Sequence, residues 1–195
     1  MIRERLITAY LMCLAATALL SSCSKPEDPK TVYLALETHS EEQKQLNQDI
    51  AHELSRKMHS GDFVIVDQMT GDSVVNLISN ERPAKVLKEI ETEIEISPSS
   101  DLAVIEAVKR ASSIADRTDN KVQCVIVTKG VADNYSVGEL SYALSDLPSS
   151  VSISIIGIDP ENRLPMSQAF SAVPGQVRFG SLDSEWRDLI HRVTK

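Results

Sequence analysis

Ser73 follows Gly71-Asp72, and Asp188 stands three residues ahead of His191. A serine hydroxyl deprotonated by an imidazole, with a carboxylate orienting the ring, attacks ester carbonyls. Ser73, His191 and Asp188 are therefore the residues with which this chain would hydrolyse an ester. The remaining histidines offer less. His39, His52, His59 and His191 include no pair at the i,i+4 spacing of a helical zinc site, and His52 and His59 would stand about 10 Å apart along a helix axis, too far for one metal. Cys124 lies in an apolar run without a basic neighbour, the setting of a buried, inert thiol. No phosphate-cradling glycine loop occurs, and the chain has only 7 glycines, which disfavours nucleotide binding.

Such groups act only if strands and helices bring them together. Residues 32–36, 63–66, 122–127 and 151–158 are rich in Val and Ile and nearly continuous, as strands buried on both faces should be. Residues 74–78 follow the turn signal Thr70-Gly71-Asp72 and are expected to form an antiparallel edge hairpin. Gly-Asp-Ser suits that turn for purely local reasons. Residues 177–179 make a last short strand. Between the strands lie helical patterns. Ser40 with Gln43 forms a capping box, and Leu46, Ile50, Leu54 and Met58 then share one face. Arg56, Lys57 and Gly61 suit that helix's end. Pro83 opens a second helix reaching about Glu95, and Ser100-Asp101 caps a third. Further helices are expected over 137–145, 164–172 and 184–192. The pattern predicts an α/β fold: a three-layer αβα, open and mostly parallel sheet with one antiparallel edge hairpin. Ligands of such sheets sit beyond the carboxyl ends of the strands, where strand order reverses. Asp67, expected to end the second strand, and Asp133, after Gly130, fall near that edge.

The amino terminus carries Arg3 and Arg5, then a short apolar run over residues 6–20, then Leu20-Ser21-Ser22-Cys23. Charge, apolar core and small residues before a cut are the marks of a secretory signal, and the run is too short to span a bilayer. The tetrapeptide resembles the bacterial lipobox. That resemblance implies a signal peptide over 1–22, lipidation of Cys23, a lipidated tether over 23–30 and a single domain over 31–195. Cys13 would leave with the signal, so Cys124 would be alone and no disulfide would staple the domain. Several acyl chains anchor a protein stably to a membrane. Ser24 is not the Asp that resembles an inner-membrane retention signal, so the expected place is the cell envelope, at the outer membrane if the host has one. The formal charge of −8 and the absence of a basic cluster exclude nucleic acid as a natural partner. Acidic lipid headgroups should be repelled by the same charge.

The segment order resembles a von Willebrand factor A domain across almost the whole mature chain. Thr31 to Ser40 is similar to the family's first strand, and Ser99-Ser100-Asp101-Leu102 to its Gly-Thr-Asp-Leu segment. Residues 125–130 (VIVTKG) are similar to its Thr-Asp-Gly strand end, and 152–158 to its Val-Ile-Gly-Ile strand. The resemblance implies a divalent-cation site built from Asp-x-Ser-x-Ser, a Thr and an Asp. Matched position by position, those ligands become Glu37, His39, Glu41, Ser100 and Lys129. A charged lysine has no lone pair to give and repels a cation. The expectation is a degenerate site with no metal and no cofactor. Lys129 would neutralise Glu37 from an adjacent strand, and the domain would hold a protein partner rather than act as an enzyme. Loops around 37–41, 97–101 and 129–135 would form the contact. The alternatives are an esterase resembling the GDSL type, using Ser73 and His191 but lacking that family's Gly-x-Asn-Asp block, and a small-ligand-binding lipoprotein.

Overall fold

The computed structural model describes residues 28–171, 173, 177–181 and 185–195. The expected signal peptide and Cys23 lie outside the described residues. Among the described residues are six strands: β1 (Lys30–Leu36), β2 (Phe63–Thr70), β3 (Ser73–Glu81), β4 (Lys121–Val127), β5 (Val151–Ile156) and β6 (Val177–Gly180). They form one sheet in the order β3-β2-β1-β4-β5-β6. Every neighbouring pair is parallel except β2 and β3, the expected edge hairpin. All seven residues of β1 are buried, which is why its sequence does not alternate. β3 covers less and is exposed at most positions. Gly71 makes the turn between β2 and β3 at φ 57°, a conformation that side chains beyond Gly rarely adopt. β5 stops at Ile156 rather than at Ile158, because Gly157 turns the chain at φ 97°.

Among the described residues, six α-helices flank the sheet: α1 (Glu41–Lys57), α2 (Pro83–Glu93), α3 (Asp101–Ala115), α4 (Asn134–Ser145), α5 (Arg163–Phe170) and α6 (Glu185–Val193). One half of the expected capping box is present: the Ser40 hydroxyl accepts from Gln43 N at 3.1 Å. On one face of the sheet, α1, α2 and α6 pack Ile50, Leu54, Ile90, Trp186 and Ile190 against Val32, Leu34 and Leu36. On the other, α3, α4 and α5 pack Val104, Val108, Leu140 and Met166 against Tyr33, Ala35 and Ile126. Each such aliphatic side chain contributes about 1.5–3 kcal/mol on burial, offset by the entropy of ordering it. No helix among the described residues is long and apolar enough to cross a membrane.

One expectation is corrected. Asp67 does not end β2. The strand continues to Thr70, and Asp67 is only 1% exposed within it, opposite Asn76 of β3. Asn76 Nδ2 donates to its Oδ1 at 2.6 Å, and Arg110 Nε of α3 lies 3.4 Å from its Oδ2. An apolar run closed by a carboxylate looks like a strand meeting solvent. Here the strand carries on because a guanidinium from a distant helix pairs the charge.

Candidate functional site

Strand order reverses between β1 and β4, where the chain runs outward to β2 on one side and to β5 on the other. In open sheets of this kind ligands sit at the carboxyl ends of the two strands that flank such a switch point. Glu37 follows β1 at that edge, with its backbone N–H donating to Val127 O of β4 at 2.9 Å. Lys129 follows β4 at the same edge. The two residues that adjacency was expected to join are in fact joined: Lys129 Nζ lies 3.7 Å from Glu37 Oε1.

The Glu37 side chain is 3% exposed, and both of its oxygens are occupied. Oε2 accepts from the Thr128 hydroxyl and from the Lys129 backbone N–H, each at 2.8 Å. Oε1 accepts from the Ser99 hydroxyl at 3.1 Å. Below it, Asn47 of α1 donates to Glu37 O and to Thr38 Oγ1, each at 2.8 Å. The Lys129 ammonium is the outward member of the set, its side chain 45% exposed. The arrangement is a buried carboxylate satisfied by hydroxyls and an amide, with one cation at the solvent boundary.

Three connections hold these groups in place. Residues 94–100 cross the carboxyl edge over β1 and β2. Gln68 clamps the crossing at Glu95, donating to its carbonyl at 2.6 Å and accepting from its N–H at 3.0 Å. Ser97 N donates to Thr38 O at 2.8 Å, and Gly71 N donates to Pro98 O at 2.9 Å. These bonds set Ser99 above Glu37. The Lys129 carbonyl accepts from Asp159 N at 2.9 Å and from Asn162 Nδ2 at 3.0 Å. Gly130 follows at φ 100°, where an added Cβ would meet Asn162 Cβ at 3.1 Å and Ile158 Cγ2 at 3.2 Å, so the loop packs tightly because this residue is glycine. Finally, the Asp101 carboxylate accepts from Ala132 N at 2.8 Å and ties the start of α3 to the loop before α4.

The other matched positions are placed differently. His39 and Glu41 are exposed, His39 in the loop and Glu41 in the first turn of α1, and neither is among the partners of Glu37. Ser100, matched to a cation-holding threonine, instead donates to Asp72 Oδ1 at 2.6 Å and caps α3 by accepting from Leu102 N at 3.2 Å. The hydroxyls on the carboxylate are those of its neighbour Ser99 and of Thr128. Both residues stand inside the two quoted motifs. The signal that could have singled them out is that a carboxylate buried at a strand end needs donors from whichever hydroxyls flank it.

A divalent cation needs several oxygen donors with free lone pairs. The donor set does not fit one, since Glu37 is saturated and the nearest charged group is an ammonium. Among the described residues, no group of three or more His, Cys, Asp or Glu side chains is arranged to hold a metal ion.

The hydrolase residues are not brought together. Ser73 opens β3 beside the carboxyl end of β2, where its hydroxyl donates to Thr70 O at 3.3 Å. His191 lies in the last turn of α6, at the opposite end of the sheet, beside Lys57, His59 and Thr194. Cys124 is fully buried in β4, and burial first, then the nearby Asp67 carboxylate, pushes its thiol far above the usual range. Asp133 does lie at the carboxyl edge, where it caps α4 by accepting from Ser136 N at 2.9 Å. Beside it Tyr135 is 71% exposed.

Comparison with solved structures decides the fold. The chain superposes on a von Willebrand factor type A protein from Catenulispora acidiphila with a TM-score of 0.64 at 13% identity, over 86% of this chain and 43% of that one. It superposes on the SpRpn10 VWA domain with a TM-score of 0.62 at 10% identity, over 84% of this chain and 94% of that one. The fold is von Willebrand factor A-like. An aerotolerance-related membrane protein from Bacteroides fragilis has the same fold, with a TM-score of 0.60 at 12% identity over 84% of this chain and 96% of that one. This vWA-like chain spans less than half the length of the Catenulispora protein, so the likeness there concerns one part of a larger molecule. No family model and no curated protein sequence matches it.

Proposed function

We propose that this protein is a lipid-anchored bacterial envelope protein whose vWA-like domain holds a protein partner at its carboxyl edge without a cation. The observation that carries this reading is the Lys129–Glu37 pair. It lies at the carboxyl edge where strand order reverses, with the ammonium half exposed above a carboxylate already saturated by Ser99, Thr128 and a backbone amide. Such a pair presents a fixed positive charge to whatever docks there. The exposed Tyr135 supplies the kind of aromatic anchor that dominates protein interfaces. Anchoring through Cys23 rests on the amino-terminal motif, and the domain carries no chemistry of its own on this reading. Ser73 and His191 stand too far apart for a relay, and an unreacted Ser73 is expected with a fluorophosphonate probe.

The test is crosslinked capture from host membranes. The bait is the lipidated protein, beside a variant with Glu37, His39 and Lys129 changed to Ala. Capture by the wild type alone, in chelator as well as in Mg²⁺, supports the reading. Equal capture by both baits moves the interface elsewhere, and capture abolished by chelator contradicts the cation-free site.

A further inference from the structure

The formal charge of −8 predicts repulsion from acidic lipid, but it is unevenly placed. At the amino-terminal ends of β1 and β4, Lys57, His59, His191, Thr194 and Lys195 line a depression of about 480 Å³. Arg192 is exposed beside it, and Lys121 is exposed where β4 pairs with Lys30. The nearby carboxylates are largely engaged. Asp62 is 2% exposed and accepts from the backbone N–H groups of Lys30 at 3.1 Å and His59 at 2.9 Å. Glu53 pairs with Lys57 at 2.9 Å and with Arg56. Exposed acids also stand at this end, Asp28 before β1, Asp116 and Asp119 before β4 and Asp146 after α4, so the basic residues are concentrated around the depression rather than spread over the whole end.

The chain enters the fold at this same end. Lys30 is nearly buried, and its ammonium donates to Thr194 O at 2.7 Å, which fastens the first residue of β1 to the tail of α6 and to the wall of the depression. Cys23 precedes Lys30 by seven residues, so an extended tether reaches about 25 Å at most.

We propose that this basic end docks on anionic phospholipid headgroups and turns the Glu37–Lys129 edge away from the bilayer. The proposal rests on the lipid anchor at Cys23. Each basic side chain close to an anionic surface raises partitioning about fivefold. The short tether supplies an effective concentration in the range of about 1 mM, so even weak headgroup contacts are populated. The helix carbonyl ends at this face oppose the attraction, and the exposed His191, Arg192 and Lys195 carry it.

The experiment uses the full protein purified from membranes, its intact mass read first. It is reconstituted in vesicles of phosphatidylcholine alone or of equal parts phosphatidylcholine and phosphatidylglycerol. Amide exchange is then measured over residues 57–62 and 190–195. The expected result is several-fold slower exchange there on the anionic vesicles only. High salt should reverse it, and so should the variant H191E, R192E, K195E, whose strand amides report an intact fold. The neutral variant H191Q, R192Q, K195Q should fall between. An acylated protein whose exchange is the same on both vesicles, or whose protection survives the Glu variant, overturns the docking proposal alone. A mass showing unmodified Cys23 overturns the anchor, and the docking geometry with it.

Discussion

Two carboxylates are buried one strand apart in this sheet, and they are answered in different ways. Asp67 sits mid-strand in β2, 1% exposed, against Asn76 and the guanidinium of Arg110. Glu37 sits at the carboxyl end of β1, 3% exposed, against two hydroxyls, an amide and an ammonium. The first is covered by α3 and β3, with its Arg110 partner 34% exposed. The second is sealed from below and open above, through a lysine that is 45% exposed. Burial of a charge alone therefore does not mark a functional site. What separates the two is position relative to the strand-order reversal, since both partner cations reach solvent. Asp67 also affects its neighbours: burial first, then this carboxylate, raises the Tyr33 phenol well above its usual range.

The comparison breaks most visibly at Asp67. Asp67→Ala takes the acceptor from the Asn76 amide and the partner from Arg110, and should cost about 3 kcal/mol by chemical denaturation, the low end of the range for breaking a buried pair because Arg110 reaches solvent. Glu37→Ala should cost less, about 1–2 kcal/mol, because the partly exposed Ser99 hydroxyl can turn to water and only the buried Thr128 hydroxyl loses an acceptor it cannot replace. Equal costs would mean that the two sites are the same kind of structural pair. Lys129→Ala should cost no more than about 1 kcal/mol, since the pair is solvent-screened, yet it should remove partner capture together with Tyr135→Ala. Loss of stability without loss of capture would reverse the assignment.

The smallest effect concerns Asp133. Hydrogen bonds from Ser136, side chain first and backbone second, hold its carboxyl below the usual carboxylate range. A depressed folded value means that the ionised cap stabilises the fold fully above the ordinary Asp range, and that this contribution is lost as pH falls through the depressed value. Asp133→Asn should flatten the acid limb of a melting-temperature profile below about pH 4 and leave its neutral plateau nearly unchanged.

Much of the scaffold was readable from residue order. Residues 32–36 and 122–127 are apolar without alternation, which only a strand covered on both faces requires, and Thr70-Gly71-Asp72 announced the hairpin. The adjacency of Glu37 and Lys129 followed once strand order was taken from the family resemblance. The hydroxyls were not readable in the same way. Whether Ser99 or Ser100 reaches Glu37 depends on the crossing over 94–100, which Gln68 clamps from a strand about thirty residues earlier. Asp67 was misplaced for a related reason, because Arg110, the partner that permits its burial, is remote in sequence.

The central claim is that Lys129 and the two hydroxyls complete the Glu37 site in place of a metal ion. Isothermal calorimetry of the folded protein with Mg²⁺ and Ca²⁺ tests it most directly, beside the double variant Glu37→Asp, Lys129→Asp. The account predicts no saturable heat from the wild type, and none from the double variant, since His39 and Glu41 still stand where the resemblance places serines. A saturable one-site isotherm from the wild type that disappears in Glu37→Ala would contradict it.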